Sequence, residues 1–204
     1  MLVFDARRVA FPAAPPHDHN AVAAADKDGG RGGGEHLPAW FYRLSPRAQR
    51  VYLKSDAIDR FELRPAETAA RLVEDLVAAL ASGAATTVER AAQRLLDDLA
   101  QRAGVAPVRL EVRNVRPHNA RGELHGIFYP RGCGGRPAAP LIILWMRTAQ
   151  RHDVVKPRTF VRTLMHEFGH YLDYALLRLG GSPHTGGFFR RESFLVRALS
   201  PTLD

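Results

Sequence analysis

The chain has 204 residues, of which 46% are hydrophobic and 25% charged, with a formal net charge of +8. This length supports one good core with smaller elements attached. The longest apolar run, Leu141 to Met146, is too short to cross a membrane, and no apolar signal segment precedes Asp5. The single cysteine, Cys133, excludes an internal disulfide, so we expect a cytoplasmic protein without membrane contact.

The positive charge comes almost entirely from arginine. Of the 29 basic residues only Lys27, Lys54 and Lys156 are lysine, and the arginines are spread along the whole chain without a dense basic run. A basic field favours phosphates or acidic partners. The composition therefore permits contact with nucleic acid but does not indicate it.

The first hundred residues divide into two regions. Residues 1–36 contain many prolines and the glycine-rich run Gly29 to Gly34, a composition that predicts a flexible segment. Residues 37–104 predict three helices that pack on the core. Their start and stop signals are Ser45-Pro46 for the first helix, Pro65 before the second, and a capping box at Thr86 to Glu89 with a closing Gly104 for the third.

Residues 105–204 mix strands and helices and form the third predicted region. Val108, Leu110 and Val112 alternate with charged residues, which predicts a half-buried strand. Further strands are predicted over Gly122 to Tyr129 and over Leu141 to Met146. Apolar residues then recur every three or four positions from Arg158 to Leu179, and a last helix is predicted from Arg190 to Leu199. The fold class expected is α+β, with a small mixed sheet preceded by helices.

The long helix carries the motif His166-Glu167-Phe168-Gly169-His170. Residues four apart lie on one helix face, so both imidazoles can reach a single Zn²⁺ while Glu167 stands beside its open position. Zinc lowers the pKa of a bound water from about 15.7 to about 7, and a carboxylate can take its proton as the water attacks a carbonyl. The motif predicts a zinc-dependent hydrolase.

Catalytic zinc usually has three protein ligands, so a downstream residue must complete the site. His184 follows a Gly-Gly helix stop, where the chain can fold back toward the long helix. Glu192 lies on the apolar face of the predicted last helix and can either bind the metal or hold a ligand imidazole from behind. The residues favour His184 and leave Glu192 open as the alternative.

These motifs resemble the SprT and Spartan type of zinc metalloprotease, in which HExxH is followed by a loop of the form HGxxF or HGxxW. The chain is also similar to bacterial SprT-like proteins with an HExxHYLD helix and an HTxGFF-RES segment. The resemblance covers about residues 108–199, with Thr185 where the family usually has glycine. It implies a zincin-like fold, His166, His170 and His184 as zinc ligands, Glu167 as catalytic base, and a protein or peptide substrate whose backbone pairs with an edge strand.

Two other functions stay open at this stage: a regulatory gluzincin that cleaves a repressor, and a non-catalytic binding module stabilised by zinc. Asp173, one turn beyond His170, is a candidate for orienting a ligand. A group that stabilises the oxyanion is not identifiable, although three residues are near in sequence: Tyr171, Arg190 and Arg191. The remaining histidines of this region are predicted to be surface or packing residues: His118, His125 and His152.

Overall fold

Three α-helices precede the sheet, where the sequence predicts helices. The computed structural model describes residues 37–65, 68–119, 122–130 and 139–199. After a short 3-10 helix, Phe41–Arg43, the chain forms α1, Pro46–Asp56, then α2, Ala69–Ala81, and α3, Ala85–Ala103. The Ser45 hydroxyl accepts a hydrogen bond from the N–H of Ala48 at 3.3 Å, and Pro46 lies in the first turn of α1. The Ser-Pro start signal is therefore confirmed.

The capping box predicted at Thr86 to Glu89 is wrong. Because Gly83, at φ 66°, reverses the chain directly after α2, α3 begins at Ala85 without a side-chain cap, and the predicted box lies inside the helix. The carboxylate of Glu89 instead accepts a hydrogen bond from the N–H of Val112 at 2.8 Å. Gly104, in the left-handed conformation at φ 69°, ends α3 as predicted.

A three-stranded sheet has the order β1-β5-β4. β1, Arg109–Val115, runs parallel to the central strand β5, Leu141–Arg147, and β4, Gly126–Tyr129, runs antiparallel to β5 on its other side. β2, His118–Asn119, and β3, Gly122–Glu123, form a separate antiparallel pair. The single strand predicted over Gly122 to Tyr129 is wrong, because the N–H of Leu124 donates to the carbonyl of Pro117 and separates β3 from β4.

The central strand β5 is buried on both faces. Ile142, Leu144 and Met146 point into the main hydrophobic core, whereas alternate residues of the same strand form a smaller cluster on the opposite face of the sheet. On β1, Leu110 and Val112 face the main core, as their alternation predicts. The helices complete this core with buried apolar side chains that include Val73, Leu76, Leu95, Leu96, Val161 and Leu164.

Two helices follow the sheet and carry the candidate site. α4, Pro157–Ala175, begins one residue before the predicted Arg158. It ends four residues before Leu179, because the N–H groups of Leu176 and Leu177 both turn back to the carbonyl of Leu172. α5, Gly186–Leu199, begins four residues before the predicted Arg190. Its early start follows from Thr185, whose hydroxyl accepts a hydrogen bond from the N–H of Phe188 at 3.1 Å and caps the helix.

The described residues from Ala39 onward belong to one compact unit of mixed α+β class, so the predicted fold class is confirmed at that level. The division at residues 104 and 105 stays a prediction. The segment 1–36, predicted to be flexible, and Cys133 both lie outside the described residues. Within the described ranges, every helix is too short or too polar to cross a bilayer.

Candidate metal centre

Three histidine side chains converge on one point. His166 and His170 project from α4, and His184 projects from the loop that leads into α5. The Nε2 atoms of His166 and His170 lie 3.2 Å apart, and Nε2 of His184 lies 3.1 Å from each of them. Such a group of three nitrogen donors can hold a metal ion.

The imidazole of His166 is oriented by a carboxylate. Its Nδ1 lies 3.0 Å from Oε2 of Glu192, which is almost fully buried, and Oε1 of Glu192 accepts a hydrogen bond from Nε of Arg162 at 3.0 Å. Burial acts to raise the pKa of Glu192, but the hydrogen bonds from His166 and Arg162 outweigh it and lower that pKa. The ionised carboxylate only accepts, so Nδ1 of His166 carries a proton. Burial acts to lower the pKa of His166, but the hydrogen bond to Glu192 and the charge of Glu167 outweigh it and raise that pKa. In the neutral ring Nε2 presents a lone pair.

The imidazole of His170 is oriented by a hydroxyl instead. Ser182 donates its single proton to Oδ2 of Asp173 at 2.7 Å, and its oxygen lies 2.6 Å from Nδ1 of His170. Because that proton is already committed to Asp173, the oxygen of Ser182 must accept a hydrogen bond from Nδ1–H of His170. Nε2 of His170 therefore also presents a lone pair to the point where the three rings meet.

When His166 and His170 are both neutral, their Nε2 lone pairs face each other across 3.2 Å. Nε2 of His184 lies 3.1 Å from both and meets them with a proton or with a third lone pair, according to its tautomer. A cation at the meeting point would be bound by the nitrogen atoms that present lone pairs. Neutral imidazole that is fixed through its other nitrogen is the form in which histidine binds metals.

Aromatic packing fixes the three rings from one side. The buried ring of Phe188 stacks on His170 with 4.6 Å between ring centroids, and it meets His166 and His184 edge-on at 5.1 Å each. The ring of Phe189 stacks on the imidazole of His184, with 5.8 Å between the two ring centroids. This packing limits the rotation of all three imidazoles and excludes water from one side of the cluster.

Asp173 anchors the support of His170 in the interior. It forms an ion pair with Arg191, in which both side chains are fully buried and Oδ1 of Asp173 lies 3.0 Å from Nη2 of Arg191. Burial raises the pKa of Asp173, while the guanidinium of Arg191 and the hydroxyl of Ser182 act in the opposite direction. Removing either partner of this buried pair would leave an uncompensated charge. The pair therefore fixes the carboxylate of Asp173, and that carboxylate holds Ser182 in place through its hydrogen bond.

Glu167 lies between α4 and the sheet. Its side chain is buried, and burial raises the pKa of its carboxyl group to about 7. The neighbouring strand approaches so closely that a Cβ atom at Gly126 would lie 2.8 Å from both Cγ and Oε1 of Glu167. Glycine at the start of β4 therefore allows the backbone of this strand to lie directly against the carboxyl group.

The structure brings together the three histidines that the sequence selects. The alternative ligand, Glu192, does not reach their meeting point and contacts the far nitrogen of His166. Asp173 reaches His170 only through Ser182. Sequence reasoning missed Ser182, although its position between the Gly180-Gly181 pair and His184 is a usable signal. It also missed Arg162, Phe188 and Gly126, whose roles depend on contacts between separate elements.

The other residues considered from the sequence have structural partners. The hydroxyl of Tyr171 donates to the carbonyl of Ala106, and Arg190 pairs with Asp59. The histidines expected outside the site, His118, His125 and His152, are absent from the three-histidine cluster found among the described residues. Comparison of the chain with protein-family models, curated proteins and solved structures found no match.

Proposed function

We propose that the chain is a zinc-dependent metallopeptidase of zincin-like fold, as its resemblance to SprT and Spartan proteases implies. His166, His170 and His184 would hold the zinc ion, and Glu167 would be the general base. The observation that carries the proposal is the convergence of three imidazole Nε2 atoms at separations of 3.1–3.2 Å, with the rings of His166 and His170 held by hydrogen bonds at Nδ1. A single cysteine in 204 residues suits a reducing compartment, and we propose the cytoplasm.

The spacing of the three nitrogen atoms favours zinc. Nitrogen ligands about 2.0–2.1 Å from a tetrahedral zinc ion lie about 3.3–3.4 Å from one another. The observed separations of 3.1–3.2 Å are close to this value. Three histidines leave one tetrahedral position for water or substrate, which is the composition of a catalytic rather than a structural site. When bound, zinc supplies Lewis acidity that makes water nucleophilic near neutral pH and polarises a carbonyl group.

Glu167 is suited to proton transfer in peptide hydrolysis. Burial brings the pKa of its carboxyl group to about 7, and a cation on the neighbouring histidines favours the ionised form. In that form Glu167 takes a proton from the attacking water as the C–O bond forms. It then gives the proton to the amine that leaves when the C–N bond breaks.

The outer edge of β4 is suited to an extended peptide. The N–H of Trp145 donates to the carbonyl of His125, and hydrogen-bonded pairs alternate along antiparallel strands. Gly126 and Phe128 consequently direct their N–H and carbonyl groups away from β5. A peptide strand paired with these groups would pass beside Glu167, because Gly126 lies against that carboxyl group.

The opposite edge of the sheet is covered by side chains of α3. Gln93 accepts a hydrogen bond from the N–H of Leu110 at 2.8 Å and donates to the carbonyl of Val108 at 2.9 Å. Glu89 accepts from the N–H of Val112. These contacts replace those of a further strand, so β1 is not available for peptide pairing. The two edges thus differ in a way that supports β4 as the substrate strand.

Elemental analysis combined with a protease assay tests the proposal. The wild-type protein is expected to contain about one zinc ion per chain, and His166→Ala should lose most of it. Glu167→Gln should retain the zinc and the fold but lose cleavage of an unfolded protein substrate, because an amide cannot take the proton. Glu74→Gln, the same change on the exposed surface of α2, is the matched control and should remain active.

Each outcome has a separate meaning. Zinc content near zero after growth in zinc-supplemented medium contradicts the metal site. Equal cleavage by the wild-type protein and Glu167→Gln removes Glu167 from the mechanism. Full zinc content without cleavage of any unfolded protein or peptide by the wild-type protein would identify a zinc-stabilised binding module instead.

A further inference from the structure

The end of α1 and the start of α5 are joined by reciprocal hydrogen bonds. Oδ1 of Asp56, in the last turn of α1, accepts a hydrogen bond from the N–H of Gly187 at 2.9 Å. In the other direction, Nη1 of Arg191 donates to the backbone carbonyls of Ser55 and Ile58. We call this arrangement the clasp; it consists of Ser55, Asp56 and Ile58 on one side and Thr185, Gly187 and Arg191 on the other.

The clasp satisfies groups that every helix leaves unpaired. The first N–H groups and the last carbonyl groups of a helix have no partner within it. Asp56 supplies an acceptor and a negative charge to the N-terminus of α5, where the helix dipole is positive. Arg191 supplies donors and a positive charge to the C-terminus of α1, where the dipole is negative. Each helix therefore caps the other across about 130 residues of sequence.

The two sides of the clasp are in very close contact. A Cβ atom at Gly187 would lie 2.4 Å from the carbonyl oxygen of Ser55 and 2.5 Å from that of Asp56, so only glycine fits. The hydroxyls of Ser55 and Thr185 lie 3.1 Å apart, and both residues are buried. Nη2 of Arg191 also donates to the hydroxyl of Ser55 at 2.9 Å. Such a close contact, with hydrogen bonds in both directions, fixes the start of α5 relative to α1.

Two of the three histidines are connected to the clasp. His184 directly precedes Thr185, the residue that caps α5. On the other side, Arg191 pairs with Asp173, which accepts from Ser182, the residue that orients the ring of His170. A displacement of α1 would therefore reach the site through the ligand loop and through the buried ion pair.

We propose that α1 is a positioning element of the metal site, and that Asp56 and Ser55 are positioning residues for His184 and His170. This inference rests on the metal site proposed above and does not depend on the reaction catalysed there. The two helix ligands are already aligned by their spacing on α4, whereas His184 comes from a loop. The clasp supplies the missing constraint by fixing the first turn of α5 next to that loop.

Zinc affinity and the Co²⁺ spectrum of Asp56 variants test this role. Asp56→Ala removes the acceptor for the N–H of Gly187 and should lower zinc affinity by roughly 10-fold, the lower end of the effects found for outer partners of metal ligands. It should also change the visible absorption of the Co²⁺-loaded protein, because the ligand geometry alters. Asp56→Asn keeps an oxygen acceptor in place and should recover most of the affinity.

Asp98→Ala is the matched control. Asp98 lies on α3, accepts a hydrogen bond from Thr68 and pairs with Arg102; its side chain is 18% exposed, against 24% for Asp56. Both alanine variants should lower the melting temperature of the metal-free protein, but only Asp56→Ala should weaken zinc binding. Measurement by competition with a chromogenic chelator gives the affinity separately from the stability.

The outcomes separate this inference from the proposed function. If the wild-type protein takes up neither Zn²⁺ nor Co²⁺, the metal site and the positioning role are both refuted. If the wild-type protein binds zinc and Asp56→Ala binds it within twofold as tightly with an unchanged Co²⁺ spectrum, only the positioning role is refuted. Equal losses in Asp56→Ala and Asp98→Ala would show a general effect of stability and would also overturn the inference. If Asp56→Ala fails to fold, Ser55→Ala is the substitute variant, because it removes only one hydroxyl of the clasp. It should likewise lower zinc affinity and change the Co²⁺ spectrum, and unchanged values for both would refute the positioning role.

Discussion

Ser182→Ala removes the hydrogen-bond partner of one candidate ligand, His170, and leaves all three candidate ligands in place. The Ser182 hydroxyl accepts from Nδ1–H of His170 and donates to Oδ2 of Asp173. Loss of an outer partner weakens metal binding by about 10–100-fold, which corresponds to about 1.4–2.7 kcal/mol. Asp173 keeps its contact with Arg191 at 3.1 Å. The metal-free protein loses the bond to the charged carboxylate, worth about 1.5–3 kcal/mol, and the bond from His170, worth about 0.5–1.5 kcal/mol. A unit of this size should then melt about 4–18 °C lower.

The assay combines chelator competition for zinc with thermal unfolding of the metal-free protein. Thr68→Ala removes a hydrogen bond of the same chemical type but on the exposed surface, in which a hydroxyl donates to the carboxylate of Asp98 at 3.0 Å. Thr68 directly precedes α2 and Asp98 lies on α3, so both are far from the histidines in sequence. This control should leave zinc affinity unchanged. The reasoning is refuted if Ser182→Ala lowers the melting temperature but binds zinc within twofold as tightly as the wild-type protein, since Ser182 would then support the fold alone.

Three further predictions follow from the site and its surroundings. Gly126→Ala places a Cβ atom 2.7 Å from Leu144 and 2.8 Å from Glu167, so it should lower the free energy of unfolding by about 1–3 kcal/mol. It should also reduce the cleavage rate by a larger factor than zinc affinity, with both quantities measured on the same preparation. His184→Ala should weaken zinc binding more than Glu192→Ala, which should lose about 10–100-fold; chelator competition that gave the reverse order would make Glu192 the ligand. DNA binding should be weak, without sequence preference and reduced by salt, and submicromolar sequence-selective binding in a salt titration would contradict this.

Local sequence patterns predicted the elements that carry the site. The alternation around Leu110 and the repeat along α4 each arise within one element, where side-chain direction follows directly from strand or helix geometry. The spacing of His166 and His170 has the same origin, since residues four apart on a helix always share a face. The preference for His184 over Glu192 also used a local signal, namely the glycines that precede and follow His184 in the sequence.

Contacts between distant elements could not be predicted in this way. Whether Asp173 faced solvent or the interior depended on Arg191, which lies on another helix and buries the carboxylate in an ion pair. The strand order β1-β5-β4 depended on which edge α3 covers, and Gln93 covers it through a side chain that reads as an ordinary polar helix residue. The start of α5 was misplaced because the capping role of Thr185 becomes visible only with its contacts.

The position of Thr185 explains how a loop can present the candidate ligand His184 in a defined geometry. The family pattern that the chain resembles has glycine there, and glycine leaves the backbone free to adopt many conformations. In this chain Thr185 caps α5 through its own hydroxyl and contacts the hydroxyl of Ser55, so two buried hydrogen bonds restrict the residue next to His184. Ordering one backbone residue costs about 1–2 kcal/mol, and two net hydrogen bonds of about 0.5–1.5 kcal/mol each are of the size needed to offset that cost. The departure from glycine is therefore consistent with a ligand loop whose order comes from side-chain contacts with α1.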